Sequence, residues 1–400
     1  MPIERDGADQ QRDRIEATPE QRIRYQIVTV LILIVCAVWY YKANIRRQIT
    51  GLAGASDFSE YYRAARDVLS GRSPYENPAW FYPPITAFLI APFALTDYLT
   101  ARWIWFVLSH LFFLAAGWLL WRLGGRGYVT ACCVAGVWAF GGAAGEMFMN
   151  GQISAVLVLL LVVAYTRESG FAVGLGFAVK YIPGVLAVAL FFKRNWRALV
   201  AFAWVTVIGV VVPWLVLWFG FGGANAPGKA RYWMGTPATY NWSIPAIVLR
   251  VLDPPRGGQV PYNWRFGNVA AEMHPLPGYQ AWLSVGTSAA VLLGGVLLLR
   301  GRVKGPWPMI ALMSLSLASA PVCWFHYQVL QYPGLALLLA DSVRRRAWAL
   351  ATFVVICGAL LYQVPVAALI DSSAVYVWTS VTPVACLGLF GLATVRSARS

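Results

Sequence analysis

Charge is what this chain has least of. Only 12% of its 400 residues are charged and 59% are apolar, which leaves too little polar surface to coat a water-soluble globule. Acidic residues are scarcer still, 17 against 32 basic ones. A net charge of +15 can mark a nucleic-acid partner, but here Lys and Arg fall in short clusters between apolar runs and not along one face, so no nucleic acid is expected. The six cysteines (Cys36, Cys132, Cys133, Cys323, Cys357, Cys386) all lie in apolar stretches without CxxC spacing, which excludes a zinc or disulfide framework. Walker A, GxSxG, HExxH and DxD patterns are missing, so neither a metal-held sugar nucleotide nor a serine-hydrolase mechanism is indicated. No cofactor and no metal are called for.

What remains is hydrophobic length. Spans of about 20 residues divide the chain into about eleven or twelve membrane segments, so an all-α polytopic membrane protein embedded in the lipid bilayer is expected. Residues 1–23 read as a polar, disordered cytoplasmic tail, and residues 24–400 as one membrane domain. The first span covers about Tyr25 to Tyr41. Basic clusters at Arg122 and Arg126, Lys193 to Arg197, Arg300 to Lys304, Arg344 to Arg346, and Arg396 with Arg399 are assigned to the cytoplasm. Counting back puts the amino terminus inside and makes residues 44–84 the first external loop. A second external loop spans 222–280, with a helical patch around Ile244 to Leu252.

The segments Ile85 to Leu95 and Ile153 to Phe192 are too short or too irregular to alternate across a bilayer. They read as re-entrant or half-helical, which requires that they line a cavity. The absence of an internal repeat gives a secondary transporter no support.

Asp57 opens the first external loop. The residues after it put Phe58, Tyr61 or Tyr62, Ala65 and Val68 or Leu69 on one face of an amphipathic helix at the membrane surface. With Glu60 three positions on, Asp57 reads as the N-cap of a capping box; as a carboxylate at a cavity mouth it reads equally as a base.

The run SDFSEYYRAARDVLSGRSPYENPAWFYPPITAFLIAPFAL resembles the first external loop and second membrane segment of glycosyltransferase family 87. MNGQISAVLVLLL, GLGFAVKYIPGVLAVALFFKRNWRAL, NWSIPAIVLRVL and FHYQVLQYPGLALLL resemble further blocks of that family in the same order. The resemblance implies a GT-C type fold and an inverting transfer of a sugar, mannose first among them, from a polyprenyl-phosphate sugar to a glycolipid or glycan acceptor. The setting it implies is the external face of a bacterial-type cell membrane.

Under that resemblance Asp57 is the general base, and Lys180, Arg250 and His326 are candidates to bind the donor phosphate. Tyr61, Tyr82, Asn150, Gln152 and Asn241 are candidates to hold the sugar or the acceptor. Each has a plainer reading. Lys180 can snorkel to the surface, Arg250 can join a loop salt bridge, and His326 can be a packing residue among aromatics. Asn150 and Gln152, around Gly151, can merely close a turn, and Tyr82 can set the break before Pro83 and Pro84. Glu146 is the one acidic residue well inside an expected span. The rival to a transferase is a transporter or flippase of a lipid-linked glycan, for which a multi-span cavity would serve equally.

Overall fold

The computed structural model describes residues 18–46, 48–49, 56–77, 80, 82–220, 243–252, 278–301, 304–321, 323, 325–361 and 372–399. Among these the architecture is all-α. By length and composition, four of the described helices can cross a membrane, or five where a bent pair counts as one span, with six shorter apolar helices beside them.

Helix α1 (Pro19–Tyr40) starts earlier than the 23-residue tail allowed. Thr18 caps it, exchanging hydrogen bonds with Gln21, and Pro19 occupies the first turn, where its missing N–H costs nothing. A π-helical turn, Tyr41–Arg46, prolongs this span into what was expected to be loop. Most of the span is open to lipid; Val35, for instance, is 58% exposed.

The expected first external loop is largely ordered. It holds α2 (Ser56–Leu69), a 3-10 turn at Pro74–Glu76, and then α3 (Pro84–Ile90), the short half-helix foreseen after the Pro-Pro pair. Helix α4 (Tyr98–Leu123) is a full span capped by Asp97, whose carboxylate accepts from the Thr100 N–H at 3.0 Å.

The apolar run after it does not cross as one helix. It breaks at Gly141 into α5 (Tyr128–Phe140) and α6 (Gly142–Asn150), bent by 53°. The Tyr332 ring packs where a Cβ on residue 141 would stand, and its hydroxyl accepts from the Ala144 N–H at 3.1 Å. A glycine and a hydroxyl thus replace one turn of helix.

Next comes a hairpin of short helices, α7 (Ser154–Arg167) and α8 (Gly170–Val179), turning at Glu168 in the left-handed region (φ 50°). A Cβ on Gly170 would run into the Ala198 backbone, so the absence of a side chain lets the hairpin dock on the span beside it. Helix α9 (Leu186–Phe192) leads to that span, which comprises α10 (Trp196–Thr206), a π turn at Val207–Val211 and α11 (Val212–Gly220). Pro213 follows the π turn and accounts for it, since it removes one ladder hydrogen bond.

The expected helical patch is α12 (Ile244–Leu252). Helices α13 (Gly278–Leu299), α14 (Trp307–Ser319), α15 (Tyr332–Arg344), α16 (Trp348–Leu361) and α17 (Ser372–Arg399) complete the bundle, with α14 packed on α17 and α15 on α5.

Polar ties gather the basic clusters. Arg344 donates to the Gly124 carbonyl at 2.9 Å, Arg396 pairs with Asp341 at 2.9 Å, and Lys193 pairs with Glu168 and donates to the Gly305 carbonyl at 2.6 Å. Cations at helix carboxyl ends complement the unpaired carbonyls there.

Candidate active site

Three local devices converge on one amide. The first is the end of α6. Gly151 takes the left-handed conformation (φ 66°), its N–H meets the Phe148 carbonyl at 3.0 Å, and the Gln152 N–H reaches back to Met147 at 2.9 Å. This is a Schellman closure, and it needs a residue free of a Cβ. An added Cβ would lie 2.7 Å from Phe58 Cβ and 2.7 Å from Arg102 Nη1. Arg102, buried in α4, donates to the Phe148 and Met149 carbonyls at 3.1 and 3.3 Å, and Trp105 donates to the Gly151 carbonyl at 2.8 Å. The turn is fixed on every side, and Gln152 with it.

The second device is the α7–α8 hairpin. It leaves from Gln152 and returns to Lys180, which ends α8 in an extended conformation. Thr86 of α3 donates to the Val179 carbonyl at 3.1 Å and anchors that end. The third is α2, whose buried Phe58, Tyr61, Ala64 and Ala65 seat it against the bundle. Phe58 stacks on Trp105 at 6.0 Å, so the helix carrying Asp57 and the helix holding Gly151 share one aromatic contact.

The result is a linked set of polar side chains. Gln152 Nε2 donates to Asp57 Oδ2, while Gln152 Oε1 accepts from the Tyr61 hydroxyl at 3.0 Å and from Lys180 Nζ at 3.3 Å. Two donors on the oxygen side fix the amide with its nitrogen towards the carboxylate. Tyr82 Oη sits 3.2 Å from Gln152 Nε2 and 3.4 Å from Oε1, and its ring meets that of Tyr61 edge-on at 4.7 Å. Lys180 Nζ stands 3.6 Å from the centre of the Tyr327 ring, a cation–π contact, and 5.5 Å from that of Tyr82. The His326 ring meets Tyr327 at 4.7 Å, within electrostatic reach of Lys180, and its buried Nε2 has no hydrogen-bond partner among the described residues.

Gln152, Tyr61, Lys180, Tyr327 and His326 are buried, while Asp57 and Tyr82 remain partly exposed. Asp57 and Tyr82 therefore mark the open edge of the cluster. Burial pushes the Asp57 pKa above the usual carboxylate range, with the Gln152 hydrogen bond and the Lys180 charge acting in the opposite direction.

The expectations fare unevenly. Asp57, Tyr61, Tyr82, Gln152, Lys180 and His326 come together. Lys180 does not snorkel. The helix begins at Ser56, so Asp57 lies inside its first turn rather than outside it, and Glu60 bonds Asn77 at 2.6 Å and Arg63 at 3.1 Å instead of closing a capping box. Asn150 ends α6 two residues before Gln152, and Glu146 is half-buried earlier on the same helix. Arg250 falls on α12 with its side chain outside the described residues, and Asn241 lies outside them altogether. Arg102 and Tyr327 were not anticipated. The only signal either gives is a lone basic residue early in a span and a tyrosine beside His326.

Comparison with known proteins bears on this geometry. The family model "Glycosyltransferase family 87" matches residues 80–264, a stretch that includes Tyr82, Gln152 and Lys180 but neither Asp57 nor His326. The chain is 25% identical over 333 residues to a polyprenol-phosphate-mannose-dependent alpha-(1-2)-phosphatidylinositol mannoside mannosyltransferase of Mycobacterium tuberculosis, covering 74% of this chain and 72% of that protein. It is 27% identical over 177 residues to an alpha-(1->3)-arabinofuranosyltransferase of the same species, covering 38% and 39% of the two chains. Fold and comparisons together define a membrane-embedded, glycosyltransferase-like protein of the GT-C superfamily. Within it, the chain is related to the family 87 and arabinofuranosyltransferase homologues.

Proposed function

We propose that this protein transfers a sugar, mannose in the first instance, from a polyprenyl-phosphate sugar to a hydroxyl of a glycolipid or glycan acceptor at the external face of the membrane. Asp57 acts as the base. The acceptor oxygen attacks the anomeric carbon as Asp57 takes its proton; the bond from that carbon to the phosphate oxygen breaks with inversion, and polyprenyl phosphate leaves. A phosphate monoester is already a good leaving group, so a base and a cationic contact suffice.

The observation that carries this reading is the placement of one amide between acid and cation. Gln152 contacts both Asp57 and Lys180. A direct ion pair would hold the carboxylate ionised but weakly basic and would neutralise the lysine. With the amide between them, Asp57 keeps a raised proton affinity and Lys180 is left without a carboxylate in direct contact, so an incoming phosphate would supply its counter-charge beside the unpartnered His326 Nε2. Tyr61 and Tyr82 border the space where the sugar would sit. The relative named for polyprenol-phosphate-mannose supports the donor class, and an isoprenoid tail suits a site reached from the bilayer.

The test is to incubate the purified protein with radiolabelled polyprenyl-phosphate mannose and a membrane lipid extract. A new labelled glycolipid is expected, and none from GDP-mannose. Direct transfer from GDP-mannose by the pure protein would overturn the donor assignment.

A further inference from the structure

The first span carries a second polar feature outside the Asp57 cluster. Cys36, Tyr40, Asn44 and Gln48 are all buried, whereas Val38, Trp39, Tyr41 and Ile49 are exposed. In an uninterrupted α-helix a four-residue repeat drifts steadily round the axis. The π turn at Tyr41–Arg46, closed by longer-range bonds and so turning less per residue, keeps Asn44 and Gln48 in line with Tyr40. The polar members of this stripe differ in one respect. Tyr40 Oη is satisfied by His110 Nδ1 at 2.7 Å, but all four amide atoms of Asn44 and Gln48 are buried without a hydrogen-bond partner among the described residues. Their side chains are 99% and 98% buried by residue area, so solvent does not satisfy them either.

Native proteins rarely bury unpaired carboxamides, let alone two together. Asn44 packs towards α6, where a Cβ on Gly145 would lie 3.7 Å from its Oδ1. Helix α6 also packs on the 3-10 segment Phe325–Gln331 that carries His326 and Tyr327, and it ends at the Gly151–Gln152 turn. The unpaired amides therefore adjoin the helix that positions Gln152, about 8 Å along its axis from the last helical residue.

We infer that Asn44 and Gln48 form a hydroxyl-binding subsite that holds the polyhydroxylated headgroup of the acceptor while its reacting hydroxyl reaches Asp57. The inference rests on the transferase reading above. Each carboxamide offers two donors and one acceptor oxygen, the complement of neighbouring sugar or polyol hydroxyls, which both donate and accept. An anion is not matched, because the cations of this turn, Lys42 and Arg46, are exposed whereas the two amides are buried. An isoprenoid tail would leave the amides unpaired, and the phosphate-binding groups Lys180 and His326 stand on other elements. The headgroup belongs to the acceptor, not the donor.

The test uses full-length protein in nanodiscs titrated with octyl α-D-mannopyranoside, octyl β-D-glucopyranoside and, as a chain-matched control, tetraethylene glycol monooctyl ether. Wild type is expected to bind at least one glycoside more tightly than the ether. Asn44→Leu/Gln48→Leu, and separately the milder Gln48→Met, should weaken glycoside binding about tenfold or more, leave ether binding unchanged, and melt at or above the wild-type temperature, since apolar groups relieve unpaired amides. Unchanged glycoside affinity in the variants, or no glycoside preference in wild type, overturns the inference. Failure of both variants to fold overturns it too, because the amides would then be structural. Asp57→Asn separates the two proposals: normal turnover in that variant sinks the base assignment, while its glycoside binding reports on the subsite alone.

Discussion

Asp57→Asn tests the base and the scaffold in one measurement. The replacement keeps the side-chain shape, and its amide oxygen can still accept from Gln152 Nε2, the donor that Asp57 has among the described residues. Loss of the hydrogen bond should therefore cost no more than about 1 kcal/mol. Catalysis should change far more. Loss of a positioned base costs roughly 100- to 10,000-fold, or about 2.7 to 5.5 kcal/mol of barrier at ~1.36 kcal/mol per decade. The assay is single-turnover transfer in nanodiscs at saturating donor, with melting temperature recorded on the same preparation. An inactive variant that melts at or above the wild-type temperature and still binds donor supports the assignment. Turnover within a few fold of wild type refutes it and moves the search for a base to Glu60, Glu146 or His326.

The pH dependence follows from the same group. Its carboxyl is raised by burial, so transfer should fall on an acid limb lying above the ordinary carboxylate value of about 4, and a limb at that ordinary value would count against it. Because the folded-state value exceeds the unfolded one, ionising Asp57 removes stability as pH rises through the raised value. Asp57→Asn should therefore gain melting temperature relative to wild type progressively as pH climbs from the ordinary carboxylate value to the raised one, keep that gain above it, and show none below the ordinary value. Lys180→Met keeps an apolar stem against Tyr327 but loses the charge; the donor KM should rise about tenfold or more with the acceptor KM little changed, and equal donor KM values would remove Lys180 from the phosphate site. Gly151→Ala forces a Cβ into the left-handed region and against Phe58 and Arg102; a loss of about 1 to 3 kcal/mol in unfolding measurements is expected, together with reduced turnover as Gln152 moves. A neutral Gly151→Ala would show that the turn tolerates a side chain.

Hydropathy exposed the membrane class and most segments, because spans differ from loops in composition over some twenty residues. It could not expose the break at Gly141, since the run from Tyr128 to Gly145 carries no charge on either side of it and the cause lies nearly 190 residues away in Tyr332. The site was legible where a residue type is costly in its setting. A lysine beside an apolar hairpin and an Asn-Gly-Gln turn both stand out in sequence. Arg102 did not, because a basic residue early in a span has the look of an ordinary interface anchor; its burial against carbonyls arises only when α6 ends beside it. Asn44 and Gln48 were hidden for a related reason. Polar residues at the end of a span read as loop until a π turn rolls them inward.

The contact of Tyr332 with the α5–α6 bend has a mechanical consequence. Tyr332 opens α15 directly after the 3-10 segment bearing His326 and Tyr327, and its hydroxyl is bonded to the Ala144 amide of the helix that delivers Gln152. The cation's aromatic seat and the amide that orients the carboxylate are thus keyed to each other at the back of the site. A bulky substrate cannot be admitted by prising those two apart without losing the geometry that would process it. Admission falls to the side of Asp57 on α2 and of Tyr82, the partly exposed members of the cluster. The rear of this site is a closed jaw, and its open side is the one bordered by Asp57 and Tyr82.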